Sequence, residues 1–222
     1  MISIALDGPA GAGKSTLAKA VAAKLGYIYV DTGALYRAVG LKFARAGYGT
    51  DLNCDIEEML KGTSVDIKFI GKEQHVFLDG EDVNALIRTP EISMMASAVS
   101  AKPSVRAFLL ELQRKLAREH DVIMDGRDIG TVVLPDATLK VFVTAKPETR
   151  ANRRYKELIE KGSEVNYADI LEDIKTRDYN DSHRAIAPLK VAEGGIVFDT
   201  DDLDFEAALL KLLEIIDNEV IK

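Results

Sequence analysis

The feature that most constrains the fold of this chain is the segment Gly8-Pro9-Ala10-Gly11-Ala12-Gly13-Lys14-Ser15. It matches the pattern G-x-x-x-x-G-K-[ST], in which glycine residues let the backbone turn its N–H groups inward around an anion. A short apolar run at residues 2–6 precedes the segment, and apolar residues at helical spacing follow it as far as Gly26. The sequence therefore predicts a phosphate-binding loop between a buried strand and a helix whose positive end faces the same anion.

The loop also indicates which ligands it would hold. Lys14 can reach the β- and γ-phosphates of a nucleoside triphosphate, and the hydroxyl of Ser15 can ligate Mg²⁺. We therefore expect ATP and Mg²⁺ as cofactors, although the loop alone does not distinguish a kinase from an ATPase or a nucleotide-dependent switch. The residues predicted to contact ATP at the loop are Gly8, Pro9, Ala10, Gly11, Ala12, Gly13, Lys14, Ser15 and Thr16.

Strand and helix patterns alternate along most of the chain, which predicts an α/β fold. The first strand, its helix and the run at residues 27–30 form a strand–helix–strand unit, whose right-handed crossover implies a parallel sheet. Pro103 and Pro147 stand where two of the later helices would begin. Five apolar runs predict buried strands, at residues 2–6, 27–30, 122–124, 139–143 and 196–198.

The periodicity changes between residues 63 and 88. Apolar and polar residues alternate from Val65 to Phe69, a period of two that indicates a strand with one buried face. Turns are predicted at Gly71-Lys72 and at Asp79-Gly80. We therefore predict a doubly wound α/β domain with a parallel sheet and a small antiparallel β insert.

Charge and composition restrict the partners. The formal net charge of −7 argues against a surface that binds nucleic acid polymers or anionic lipid, but not against a local arginine cluster for a small anion. No apolar stretch is long enough to span a membrane, and the N-terminus lacks the pattern of a signal peptide. The single cysteine, Cys54, cannot form an internal disulfide, which fits a reducing compartment. We expect a cytoplasmic monomer.

Arginine and aspartate residues gather at positions suited to two phosphate groups. Residues 31–37 follow the second predicted strand and residues 125–128 follow the third, at the sheet edge where α/β proteins bind ligands. Asp125 is predicted to hold Mg²⁺, directly or through water. Each arginine taken singly could be a solvated surface charge, but together they supply the positive charge that transfer between two phosphates requires. Two sets have the spacing of one helical face: Arg150, Arg153 and Arg154, and Arg177, Asp181 and Arg184.

Four stretches make the chain resemble the bacterial cytidylate kinases across essentially its whole length. They are residues 6–15, 31–37, 125–131 and 184–189, of which the first is general to P-loop proteins and the others are specific to that family. The resemblance implies transfer of the γ-phosphoryl group of ATP to CMP, and also to dCMP, in pyrimidine nucleotide metabolism. It also implies a five-stranded parallel core within residues 1–36, 103–149 and 184–222, a monophosphate-binding region at 37–102 and a short lid at 150–183.

The resemblance implies roles for individual residues. The catalytic set would be Lys14, Asp125, Arg127, Arg177 and Arg184. The acceptor phosphate would be held by Thr32, Tyr36, Arg37 and Arg127, and the cytosine would be read by Ser97, Arg106 and Asp128. The ribose would contact Asp181 with Arg177 beside it, Arg184 would lie near the transferring phosphoryl group, and Arg153 and Arg154 would lie in the lid close to ATP. Thr32 stands where the family pattern has serine, and it keeps the hydroxyl.

The choice of base has a chemical explanation. Cytosine offers an N4 donor where uracil offers an O4 acceptor, so a carboxylate such as Asp128 accepts from cytosine and is left unpaired by uracil. Two alternatives stay open. One is another small P-loop kinase, acting on a different monophosphate or on a metabolite such as shikimate. The other is a nucleotide-dependent switch or ATPase module, which would leave Arg37, Arg127, Arg177 and Arg184 without a role.

Overall fold

The computed structural model describes residues 1–71 and 73–220. The chain forms two compact units, one made of residues 28–122 with Met1 and the other of residues 2–27 and the chain from residue 123 onward. The predicted turn at Gly71-Lys72 falls partly on Lys72, which lies outside the described residues. Within the described part of the chain, no helix has the length and apolar character needed to cross a bilayer.

Helices and strands alternate through most of the sequence, as the apolar patterns predict. In chain order the elements are β1 (Ser3–Asp7), α1 (Lys14–Leu25), β2 (Ile28–Asp31), α2 (Thr32–Arg45), α3 (Ile56–Lys61), β3 (Val65–Ile70), β4 (Glu73–Leu78), β5 (Glu81–Asp82), α4 (Pro90–Ser100), α5 (Pro103–Glu119), β6 (Val122–Gly126), a π-helical turn (Ile129–Val133), β7 (Leu139–Thr144), α6 (Pro147–Glu160), α7 (Tyr167–His183), β8 (Ile196–Asp199) and α8 (Phe205–Val220).

The larger sheet is parallel and has five strands in the order β2-β6-β1-β7-β8. Strand β7 pairs with both β1 and β8, so that Asp7 lies opposite Phe142 and Thr144 lies opposite Asp199. All five strands predicted from apolar runs are present, which confirms the α/β class. Because β1 and β6 are neighbours, their carboxyl ends place the glycine-rich loop next to the segment that begins at Asp125.

Apolar side chains from the strands and two helices form the interior of the second unit. Ile4 and Leu6 of β1 are buried, as the length and composition of that run predict. Helix α1 buries Leu17 and Val21 and packs against α8, which buries Leu212. The interior therefore fixes the end of β1 and the start of α1, the two anchors of the glycine-rich loop.

The smaller sheet is antiparallel, with the order β3-β4-β5, and it confirms the predicted β insert. Ile67 of β3 lies opposite Val76 of β4, and both side chains are buried on one face. Asp79 and Gly80 form the predicted turn, both with positive φ. Strand β5 was not predicted, since two residues are too few to show a period.

Helix α4 was also not predicted, although its start signal is present in the sequence. The Thr89 hydroxyl accepts a hydrogen bond from the backbone N–H of Ile92 over 3.2 Å, and Pro90 occupies the first helical position. Pro103 and Pro147 begin α5 and α6 in the same way, as predicted.

Helices α2 and α4 approach closely at Gly40. A Cβ atom placed on Gly40 would lie 3.0 Å from the backbone nitrogen of Ala96 and 3.1 Å from the Cβ atom of Met95. Helix α2 begins at Thr32 and α4 contains Ser97, two residues with predicted substrate contacts. The spacing of these two residues therefore depends on a helix crossing at which a side chain larger than that of glycine would be crowded.

We expect Gly40→Ala to lower the free energy of unfolding by about 1–3 kcal/mol, because the added methyl group meets a backbone atom that cannot move away easily. The test is urea denaturation beside Gly62→Ala, where φ is −95° and the Cβ atom would meet nothing within 4 Å. A Gly40→Ala variant more stable than wild type would show that helix propensity, which favours alanine by roughly 1 kcal/mol, outweighs the clash and would contradict the prediction.

Candidate active site

The glycine-rich loop has the backbone that the sequence pattern requires. Gly8 has a φ of 145°, and a Cβ atom there would lie 2.0 Å from the carbonyl oxygen of Val143, so no other residue fits. Gly11 and Gly13 also have positive φ. Helix α1 begins at Lys14, directly after the loop, which confirms the predicted strand–loop–helix order.

Lys14 occupies the buried end of this loop. Its side chain is 5% exposed, and its Nζ atom donates to the carbonyl oxygen of Pro9 over 2.8 Å. Burial, reinforced by the positive charge of Arg127, lowers the pKa of Lys14 to about 7, although neighbouring aspartates act in the opposite direction. A phosphate beside the amine would raise the pKa again, because the charged form would gain a partner.

The two residues predicted to hold a metal lie in direct contact. The hydroxyl of Ser15 donates to Oδ2 of Asp125 over 2.5 Å, and Asp125 is 4% exposed at the end of β6. A hydroxyl and a carboxylate fit Mg²⁺, which takes one or two protein ligands and completes its shell with phosphate and water. The described residues contain no other metal candidate, meaning no group of three or more His, Cys, Asp or Glu side chains.

Asp7 holds the backbone next to the site in place. No role was predicted for it. Its two carboxylate oxygens accept hydrogen bonds from the backbone N–H groups of Ile129 and Gly130, each over 2.7 Å. Burial raises the pKa of Asp7, and these two hydrogen bonds oppose that rise. Asp7 therefore ties the end of β1 to the π-helical turn that follows the Asp125–Asp128 segment.

Two ion pairs hold arginines in the second unit, and the first of them lies near Lys14. The Nε atom of Arg127 donates to Asp181 over 2.8 Å, and an Nη atom of Arg184 donates to Asp128 over 3.2 Å. The Arg184 side chain is only 11% exposed. The structure thus brings together Arg127, Asp128, Asp181 and Arg184, all of which were predicted from sequence.

The predicted helical face of Arg177, Asp181 and Arg184 is present only in part. Helix α7 ends at His183, so Arg184 lies in the extended residue that follows it. The carboxylate of Asp181 pairs with Arg127, which lies outside its own helix. The spacing predicted that these residues share one site, and the structure pairs Asp181 with an arginine from a distant part of the sequence.

The three arginines of α6 have three different environments. Arg150 is buried and forms an ion pair with Asp178 of α7. An Nη atom of Arg153 donates to the carbonyl oxygen of Thr200 over 2.5 Å. Arg154 is exposed and pairs with a glutamate of its own helix. The contacts of Arg153 and Arg154 with ATP stay a prediction.

In the first unit, Asp31 organises the start of α2. Its carboxylate accepts from the N–H of Ala34 over 3.0 Å and lies 3.8 Å from Arg37 and 3.5 Å from Arg88. The side-chain amide of Gln74, on β4, accepts from the Asp31 N–H over 2.8 Å and donates to its carbonyl oxygen over 3.2 Å. The roles of Gln74 and Arg88 were not predicted, because each looks like an ordinary surface residue in the sequence.

The predicted substrate residues of the first unit lie on α2, α4 and α5. Among the described residues, the Nη1 atom of Arg37 is one of the few buried polar atoms without a hydrogen-bond partner. The guanidinium group of Arg106 lies over the ring of Tyr36, 5.6 Å from its centroid. Thr32 is buried and Ser97 is exposed. A buried donor such as this Nη1 atom is suited to an anionic ligand.

Four features define a P-loop nucleotide-binding protein of the kinase class: the parallel sheet, the glycine-rich loop, the Ser15–Asp125 contact and the arginines. Sequence comparison agrees, since the family model described as cytidylate kinase matches residues 4–218. The chain belongs to the cytidylate kinase family.

Two relatives show how far the similarity extends. The chain is 53% identical to a cytidylate kinase of Caldicellulosiruptor saccharolyticus, with 99% of both chains covered. It is 51% identical to a cytidylate kinase of Caldanaerobacter subterraneus subsp. tengcongensis, covering 97% of this chain and 94% of the relative. A solved structure of an uncharacterized protein from Eubacterium ventriosum has a similar fold, with 14% identity, a TM-score of 0.54 and coverage of 98% and 99%.

We expect Gln74→Leu to lower the free energy of unfolding by about 1–3 kcal/mol, because the Asp31 N–H and carbonyl groups both lose their partner. Urea denaturation measures the change, and Glu73→Ala on the same strand, which is exposed, serves as the control. Equal stability of Gln74→Leu and wild type would contradict the structural role given to this amide.

Proposed function

We propose that this protein transfers the γ-phosphoryl group of ATP to CMP, and also to dCMP, giving CDP or dCDP and ADP. The observation that carries the proposal is the set of two arginine–aspartate pairs, one of them near Lys14, together with the Ser15–Asp125 contact. Relatives that are named cytidylate kinase and match nearly the full chain support CMP as the acceptor.

The glycine-rich loop would bind the phosphates of ATP. Its backbone N–H groups and Lys14 would neutralise the transferring group, with Thr16 continuing the loop into α1. Ser15 and Asp125 would hold Mg²⁺, either directly or through water in the case of Asp125. At these two residues Mg²⁺ would supply positive charge that helps to neutralise the phosphates of ATP. Arg153 and Arg154 are proposed to contact ATP from the lid.

The arginines would stabilise charge on the two reacting phosphates. A guanidinium group has five N–H donors, so an arginine that is already held by a carboxylate can still donate to phosphate. We assign Arg127 to the acceptor phosphate, together with Thr32, Tyr36 and Arg37. Arg177 and Arg184 are assigned to the transferring phosphoryl group. Because the phosphate of CMP is already ionised at neutral pH, the reaction needs no general base.

The substrate base and sugar would be read by a separate set of polar groups. Asp128 would accept from the N4 amino group of cytosine, and Ser97 and Arg106 would complete the contacts to the base. Asp181 would bind the ribose hydroxyls. The proposal treats residues 37–102 as the monophosphate-binding region, 150–183 as the lid and the remaining residues as the core. It includes a monomeric state in the cytoplasm, without nucleic acid polymer or membrane partners.

The switch or ATPase reading gains no support from the described residues. Such a protein would not require the buried, paired Arg184 or the buried Nη1 donor of Arg37.

The experiment that tests the proposal measures ADP release with Mg²⁺–ATP and a panel of acceptors: CMP, dCMP, UMP, AMP, GMP and shikimate. The proposal predicts strong turnover with CMP and dCMP. Turnover confined to another acceptor would reject the substrate, and acceptor-independent ADP release would reject the kinase reaction.

We expect Asp128→Ala to reduce the preference for CMP over UMP by about 10- to 150-fold, the equivalent of one lost hydrogen bond to a charged group. Asp128 also pairs with Arg184, so the substitution would slow the reactions with CMP and with UMP alike. The ratio of kcat/KM for CMP to kcat/KM for UMP therefore isolates the recognition of the base. Asp136→Ala, at an exposed position, provides the control. An unchanged CMP:UMP ratio in Asp128→Ala would exclude this role.

We also expect ATP binding to take up about one proton at pH 8.5. The pKa of Lys14 is about 7 in the ligand-free protein, so the amine is mostly neutral at that pH, and bound phosphate favours its charged form. ATP affinity should accordingly fall as the pH rises above 7. Calorimetry in buffers with different ionisation enthalpies measures the uptake. Lys14→Arg, which is always charged, should show none, and a wild-type protein without uptake would refute the pKa assignment.

A further inference from the structure

The buried arginine of α6, Arg150, connects three segments of the second unit. Its side chain is 3% exposed. The Nε atom donates to the carbonyl oxygen of Ala145 over 2.8 Å, and the Nη1 atom donates to the carbonyl oxygen of Ala10 over 2.9 Å. Both Nη atoms meet the carboxylate of Asp178, with Nη1 3.0 Å from Oδ1. One guanidinium group thus joins the end of β7, the glycine-rich loop and α7.

The contact with Ala10 determines how the loop presents its backbone. A peptide group is planar and trans, so its carbonyl oxygen and the following N–H point in opposite directions. The oxygen of Ala10 points toward Arg150, and the N–H of Gly11 must therefore point away from it. Gly11 packs against the same arginine: a Cβ atom placed on Gly11 would lie 3.5 Å from the Cβ atom of Arg150. Arg150 thereby supports the outer side of the loop.

The pairing with Asp178 holds the guanidinium group in this orientation. Arginine and carboxylate match in a two-point contact, which fixes the plane of the guanidinium group. A buried arginine also needs a negative partner, since an unpaired buried charge is costly. Apolar contacts also join α6 and α7, because Ala151, Ile170 and Ile174 form a cluster with Tyr155 and Leu158.

We infer that Arg150 is a positioning residue for the phosphate-binding loop, and that Asp178 holds Arg150 in place. Arg150 fixes the Ala10–Gly11 peptide so that the Gly11 N–H is directed toward the phosphates of the bound nucleotide. The inference rests on the proposed function for the identity of that nucleotide, ATP. It predicts a selective effect on ATP, since none of the contacts of Arg150 described above involves a residue assigned to CMP.

The test compares three variants with wild type. Arg150→Lys keeps the charge but cannot contact both Asp178 and the Ala10 carbonyl with a planar group. Asp178→Asn keeps the shape of the partner and removes its charge. The matched control is Glu148→Gln, because Glu148 and Lys175 form an exposed ion pair of 3.5 Å between the same two helices without reaching the loop. Calorimetry measures the dissociation constants for Mg²⁺–ATP and CMP, and amide NMR follows the Gly11 resonance.

We expect Arg150→Lys and Asp178→Asn each to weaken ATP binding by about tenfold or more, the loss expected for hydrogen bonds of a charged group. CMP affinity should stay within about twofold of wild type, since the variants lose a contact to the glycine-rich loop and keep every contact assigned to CMP. The Gly11 resonance should shift in both variants and stay in place in Glu148→Gln. If Arg150→Lys does not fold, Asp178→Asn decides the question by the same measurements.

Two results would overturn the inference. One is ATP affinity at the wild-type level in a folded Arg150→Lys or Asp178→Asn protein. The other is an equal loss of ATP and CMP affinity with a lower melting temperature, which would show a general structural role. Both results count only if the wild-type protein, measured in parallel, binds ATP and phosphorylates CMP. A wild-type protein that does neither would reject the proposed function instead.

Discussion

The active site depends on gathering positive charge in a partly buried place, which is stable only when each cation has a negative partner. Lys14, Arg127, Arg150 and Arg184 lie in the same unit, and Lys14, Arg150 and Arg184 are largely buried. Arg127, Arg150 and Arg184 pair with Asp181, Asp178 and Asp128, and Asp125 and Asp7 act on Lys14. The chain as a whole carries a net charge of −7, so the positive potential is local.

These carboxylates also hold the cations in position before a substrate arrives. An arginine that is already oriented loses little further freedom on binding phosphate, which is the advantage of a preorganised electrostatic site. In the first unit, Asp31 has the same role toward Arg37 and Arg88, and Gln74 holds its backbone in turn. In each unit, therefore, a residue without a predicted substrate contact, such as Asp7 or Gln74, supports those that have one.

Much of the fold could be predicted from local patterns. The glycine-rich loop, the five apolar runs and the period of two from Val65 to Phe69 each reflect a few neighbouring residues, and each was confirmed. Helix α4 was not predicted because its Thr89-Pro90 start precedes a segment rich in serine and methionine. Strand β5, with two residues, has no period at all.

The chemistry of the site was less accessible from the sequence, because it depends on contacts between distant residues. Asp7 contacts Gly130, and Arg127 contacts Asp181, across long stretches of sequence that only the folded chain brings together. Spacing along one helix suggested that Asp181 and Arg184 belong together, but the helix ends between them and each has a distant partner. Residue type and motif thus allow a prediction of which side chains take part in the site, whereas the pairs among them depend on packing.

In the proposed reaction, these charges direct a phosphoryl group to an acceptor nucleotide and not to water. Phosphorus-31 NMR of the protein with Mg²⁺–ATP and CMP follows both outcomes in one sample. We expect the resonances of ADP and CDP to grow together while the inorganic phosphate signal stays at the level of a protein-free control. Growth of inorganic phosphate with ADP, and no signal from CDP, would contradict it.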